Sequence, residues 1–176
     1  MNIFLVNKNP YVCAQALCDL RLNKMILETG QMLCTAYRHY FPDLAQQLDI
    51  ANNLYKATHE NHPCNVWLRQ NIHNYIWLIE YFEALDKERF YRCSKFHLTY
   101  SKLGVTLTMP INHIPFSEDL NFNFDCSNIY TEHLFPGEGV FGNYKHCLVN
   151  KWLNDKRKPT WTKRGKPDFA KPYIVG

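Results

Sequence analysis

The sequence predicts an all-α fold: a compact single domain over 1–176, with a helical core in 1–150. Two observations carry this expectation. Apolar residues recur at helical spacing through most of the chain up to about residue 103. Of 176 residues, 46% are hydrophobic and 20% charged, with aromatics at 15%, enough for one domain whose core is built on rings.

The elements follow in chain order. The apolar, β-branched run at 2–6 reads as a short strand or an extended arm, ended by Asn7-Lys8-Asn9-Pro10. Pro10 sits where a helix can begin, and helical periodicity then runs from about Tyr11 to Tyr40 with Gly30 as its weak point. Phe41-Pro42-Asp43 breaks it, and a second helix is expected at about 43–58. His59-Glu60-Asn61-His62-Pro63 is a polar turn. A strongly aromatic helix is expected at about 64–82 and a fourth at about 83–103. Between about 104 and 142, Pro110, Pro115, Pro136, Gly137, Gly139 and Gly142 punctuate a stretch without periodicity, which predicts a long loop region. A last helix at about 141–154 leads into a tail at 151–176.

Inside the long first helix lies a polar stripe. Lys24, Glu28 and Gln31 stand at i, i+4 and i+7, with Arg21 one turn earlier, while Leu17, Leu20, Ile26, Leu27 and Leu33 supply apolar faces. Two readings stand side by side: an exposed Lys24–Glu28 pair, or a carboxylate held among cations as a general acid or base on a face that opens onto a cleft.

The far end of the chain concentrates its basicity. Residues 151–176 hold eight Lys/Arg against Asp155 and Asp168, a net +6 in a chain of net +4, so 1–150 carry a net −2. Trp152, Trp161, Phe169 and Tyr173 are interleaved with these cations. Cations neutralise phosphates and flat rings stack on unpaired bases, so Lys156, Arg157, Lys158, Trp161, Lys163 and Arg164 suit a polyanion whose bases are exposed. In the middle of the chain Arg69, His73 and Trp77 share one helical face by spacing. Arg69 is suited to a phosphate and Asn74 to a base edge. The alternative is that Asn61 and His62 cap the third helix while Trp67 and Trp77 fill the core.

Other classes are excluded or left without support. No stretch approaches the roughly 18 uninterrupted apolar residues of a membrane span, and Met1–Val6 is too short for a signal core, so a cytoplasmic protein is expected. Seven cysteines without a Cys-x-x-Cys pair read as reduced, mostly buried residues. His59-x-x-His62 and Cys93-x-x-x-His97 each lack a second half at metal-site spacing, so neither a metal nor another cofactor is expected.

Asp19-Leu20-Arg21 followed by Glu28, nine residues after the aspartate, resembles the early helix of the phage-type pyrimidine-dimer DNA glycosylases/AP lyases. Lys158-Pro159-Thr160-Trp161-x-Lys163 resembles the Arg-Pro-Thr-Trp segment near that family's C-terminus, which lies close to DNA. The likeness covers about 35 residues at the two ends and does not extend through about 40–150. Over more of its length, from Met1 to about Trp161, the chain resembles a group of small uncharacterised proteins of tailed phages, which supports the helix assignments and a phage setting.

The first resemblance implies a small all-α domain acting on double-stranded DNA with a damaged or modified base, with Glu28 as the catalytic carboxylate. In that family an α-amine attacks the sugar. Here residue 2 is Asn, which disfavours removal of Met1, so the implied nucleophile is the amine of Met1. Arg21 stands where the family has His, and Gln31 where it has a DNA-contacting Arg. A base-excision glycosylase with AP-lyase activity is therefore expected first. A non-catalytic nucleic-acid-binding protein on the same scaffold comes second, and a host-takeover or counter-defence protein third.

Overall fold

The computed structural model describes residues 1–50, 52–111, 135 and 137–174. Among them lie seven α-helices and no strand. These are α1 (Pro10–Ala16), α2 (Asp19–Tyr40), α3 (Pro42–Ile50), α4 (Pro63–Gln70), α5 (Ile72–Cys93), α6 (Leu98–Thr108) and α7 (Gly139–Asn154). α5 packs against α1, α2, α4 and α6, and α2 packs against α3, α4, α5 and α6. No described helix is long and apolar enough to cross a membrane.

The arm at 2–6 is neither helix nor strand: Phe4 turns it through the left-handed region (φ 45°), and the Val6 amide donates to the Phe4 carbonyl at 2.9 Å. Ile3, Phe4, Leu5 and Val6 are all buried, and the arm is pinned where the Trp77 indole donates to the Lys8 carbonyl at 2.8 Å. Asn9 then accepts from the Tyr11 amide and Pro10 opens α1, the order in which an Asx cap and a prolyl first turn favour a helix.

The periodic run expected as one helix over 11–40 is broken at Leu17-Cys18, both extended, into α1 and α2. Side chains distant in sequence stabilise the break. Arg92 donates to the Gln15 and Leu17 carbonyls (3.1 and 2.8 Å), and the Trp161 indole donates to Ala16 (3.0 Å). The carbonyls that α1 leaves open at its end are thereby satisfied. The second helix stops at Ile50, short of the expected 58, and Asn52 follows in the left-handed region (φ 54°), which Asn tolerates.

No boundary falls near 82. The break comes at Asn71, whose side chain caps α5 by accepting from the His73 amide, so Arg69 lies on α4 while His73 and Trp77 lie on α5. The shared face drawn through those three residues therefore does not exist. α5 ends at left-handed Ser94 (φ 56°), and α6 extends into the stretch expected as loop. The rest of that expected loop, at 112–134 and 136, lies outside the described residues.

Gly30, the weak point of the α2 pattern, marks a close helix contact. A Cβ there would stand 2.6 Å from Thr99 Cγ2 and 3.2 Å from Leu103 Cδ1, both on α6. Thr99 cannot swing aside without cost, because its hydroxyl pairs with Tyr55 at 3.2 Å. Gly30→Ala should therefore destabilise the fold by about 1–3 kcal/mol through overpacking, although Ala is the better helix former by about 1 kcal/mol. Urea unfolding measures the sign, and a gain in stability would refute the packing role.

Candidate active site at the N-terminal amine

α2 carries Glu28 to a half-buried position where two cations meet it. The amine of Met1 lies 3.9 Å from one carboxylate oxygen, and Lys24 Nζ lies 3.4 Å from the other. Met1 arrives there because its side chain is a core element, 4% exposed. Asn65, one turn into α4, donates to the Met1 sulfur at 3.7 Å and also to the carbonyls of Thr58 and His59. Thr35 of α2 accepts from the Thr58 amide, so the 58–62 loop is folded against the start of the chain.

The same loop brings in His62. Its Nδ1 accepts from the Cys64 amide at 3.2 Å and caps α4, so the ring is neutral with its proton on Nε2. Burial pushes the His62 imidazole below its ordinary range; the positive amine of Met1 and His59 push the same way, against Glu28. Tyr81 of α5 presents a fully buried hydroxyl without a hydrogen-bond partner among the described residues. Burial holds it well above its ordinary range, with Cys13 and Glu28 adding to the rise. The carboxylate thus meets an amine and an ammonium directly, while its charge also acts on the neutral His62 imidazole and the Tyr81 phenol. Helical spacing reached Lys24 and Glu28, and the resemblance implied Met1. It missed His62, Asn65 and Tyr81, and the one available sign was the Asn61-His62-Pro63 turn, whose capping alternative is the one the structure adopts.

The remaining residues singled out from sequence fall elsewhere. Arg21 is closed by Asp155, with one guanidinium nitrogen 2.6 Å from both carboxylate oxygens, and leaves the Glu28 group. Gln31 is partly exposed one turn beyond Glu28, and its backbone carbonyl accepts from Thr35. Arg69 donates to the Glu60 carbonyl. Asn74 is 1% exposed and donates to the Trp67 carbonyl, which corrects its assignment: a side chain sealed in the core cannot read a base edge. Leu20 and Leu27, expected on apolar faces, are exposed.

The basic segment is no loose tail. Trp161 is buried against Trp152, so it anchors the fold and offers no stacking platform. Arg164 grips Glu88 through two bonds of 2.9 Å, and Lys163 donates to the Tyr91 carbonyl, which commits both to the fold. Lys156, Arg157 and Lys158 remain exposed. Thr160 and Thr162 donate to Asp19, which also takes Arg92. Burial raises the Asp19 carboxyl, but these donors outweigh it and hold the group below the carboxylate range. The two end segments that carried the resemblance are therefore bonded to each other.

A cleft of about 440 Å³ bordered by Val6, Ala16, Lys145, Arg164 and Phe169 includes neither Met1, Lys24 nor Glu28 in its lining. Cys13, Cys18, Cys34, Cys64 and Cys147 are buried, and burial pushes the Cys13 thiol up to about 12 and Cys34 to about 11.

His97 repeats the His62 device, its Nδ1 accepting from the Thr99 amide to cap α6; burial, then Arg89, lowers its range against the pull of Asp86. Both rings are neutral in the fold, whereas an unfolded histidine binds its proton near pH ~6.5. The unfolded chain then holds more protons, so the stability these caps supply is complete above that pH and lost as pH falls. Each cap contributes about 1 kcal/mol. Replacing both by Asn, which caps without titrating, should flatten the drop in melting temperature between pH 7 and 5. Parallel curves for wild type and variant would refute this. Set against known proteins, the chain matches no family model, no curated protein and no solved structure.

Proposed function

We propose that the protein is a DNA base-excision glycosylase with AP-lyase activity, its nucleophile the amine of Met1 and its carboxylate Glu28. The observation that carries this reading is the 3.9 Å separation of that amine from the Glu28 carboxylate at a half-buried site. The spacing resemblance to the phage-type pyrimidine-dimer glycosylases points the same way.

The chemistry balances at these two groups. A damaged or modified base is extruded first, at a cost of a few kcal/mol. The unprotonated amine forms an N–C1′ bond as the C1′–N bond breaks, and the base departs with that electron pair and picks up a proton. Glu28 takes a proton from the new secondary ammonium and delivers it to O4′ as the sugar ring opens, leaving a protonated imine between Met1 and C1′ whose positive charge acidifies C2′. Abstraction of a C2′ proton by the carboxylate then expels the 3′ phosphate, and water releases the amine. Lys24 contributes positive charge beside the substrate phosphates.

Borohydride reduces an imine to a stable amine, so duplex DNA with one abasic site and borohydride should leave a covalent adduct that peptide mass spectrometry maps to Met1. Glu28→Gln should lower trapping by at least about 10²-fold, the scale of a lost general acid–base group, while sparing DNA binding. Acetylation of the amine should abolish it. An adduct on Lys24 would reassign the nucleophile. Absence of any adduct, with no base release from ultraviolet-damaged or hydroxymethylated DNA, would leave a binding protein.

A further inference from the structure

Along the outer face of α2 runs a ridge of Leu20, Lys24, Leu27 and Gln31, spaced i, i+4, i+7 and i+11. Leu20 is 53% exposed and Leu27 41%, while the Lys24 side chain between them is 63% exposed. Leu27 immediately precedes Glu28, so the ridge borders the amine site. At the other end of the ridge the Arg21–Asp155 pair fixes the start of Lys156-Arg157-Lys158, three exposed cations.

We infer that this ridge is a docking surface for duplex DNA and that Leu27 is the wedge that enters the base stack where a nucleotide leaves it. The choice of DNA rests on the proposed base-excision reading. Charge complementarity supports it, since one cation, Lys24, stands between the two apolar teeth and three more, Lys156, Arg157 and Lys158, follow at the ridge's end, a pattern that suits a polymer of flat apolar bases joined by phosphates. A leucine beside the reacting groups is also the kind of side chain that fills an opened base step. Leu20 and Leu27 lie about 10 Å apart along the helix axis, roughly three base-pair rises. Only one of them can occupy a given step, and Leu27 is the one beside Glu28.

The test avoids catalysis by using duplex DNA with a tetrahydrofuran abasic analogue, which cannot form an imine, and 2-aminopurine in the opposite strand, which brightens when unstacked. Wild type should bind this duplex in preference to an intact one and brighten it. Leu27→Ser should lose most of the brightening and about tenfold of the preference, equivalent to about 1.4 kcal/mol. Its melting temperature should fall by no more than a few degrees, the scale of the lower helix propensity of Ser at a partly exposed position. Leu27→Met should retain both effects. Lys24→Gln should weaken both duplexes alike and reduce the salt slope by about 0.9.

The inference is overturned if Leu27→Ser behaves as wild type, if wild type neither binds nor brightens the duplex, or if Leu27→Ser converts an oligomer into a monomer, which would make the ridge a self-association face. Brightening without a borohydride adduct would sink the lyase chemistry and keep the wedge, and the reverse result would do the opposite.

Discussion

The guanidinium of Arg92 is the constraint on which the rest of this fold depends. At 4% exposure it donates to Glu88, Asp19 and the carbonyls of Gln15 and Leu17. A buried cation with one of its partners removed is costly, of order 3–5 kcal/mol, so these elements are held as a set. Arg92 sits on α5, Glu88 one turn before it. Glu88 in turn holds Arg164, and Asp19 holds Thr160 and Thr162. One side chain thereby joins the α1–α2 break, the end of α5 and the C-terminal segment. Burial raises the Glu88 carboxyl, but Arg164 and Arg92 together bring it below its ordinary range.

This clamp also places the candidate site. α2 can begin at Asp19 only because α1 has been terminated two residues earlier, and the start of α2 sets where Glu28 emerges two and a half turns on. The N-terminal arm reaches the same point by another route, buried along its length and tied to Trp77. Two elements with no local reason to meet are thus brought to one carboxylate by the core between them.

What the sequence disclosed and what it hid divide along physical lines. The helical class, the helix start at Pro10, the polar stripe and the pairing of Glu28 with Lys24 were legible, because each is set by neighbours within a turn or two. The break at Leu17-Cys18 was not, since its carbonyls are satisfied by Arg92 and Trp161 from far along the chain. The interruption at Asn71 was hidden in a continuous aromatic run, and its sign was a single asparagine able to cap. The C-terminal cations misled for a related reason. Composition counts charges but not their partners, and Arg164 and Lys163 already have theirs inside the fold. Leu20 and Leu27 show the converse: periodicity marks an apolar face, but only packing decides whether anything covers it.

The burial of the Met1 side chain makes the first residue of this chain a structural part. Its thioether accepts a hydrogen bond from Asn65 while its amine faces Glu28, so one residue fills the core at one end and carries charge at the other. Extending the chain by even one residue ahead of it would replace an ammonium with an amide, remove a counter-charge from Glu28 and demand space beside a packed wall. An affinity tag therefore belongs at the opposite terminus. Oxidation of Met1 to the sulfoxide would enlarge and polarise a side chain seated among apolar neighbours, coupling the oxidative state of a core residue directly to the placement of the amine.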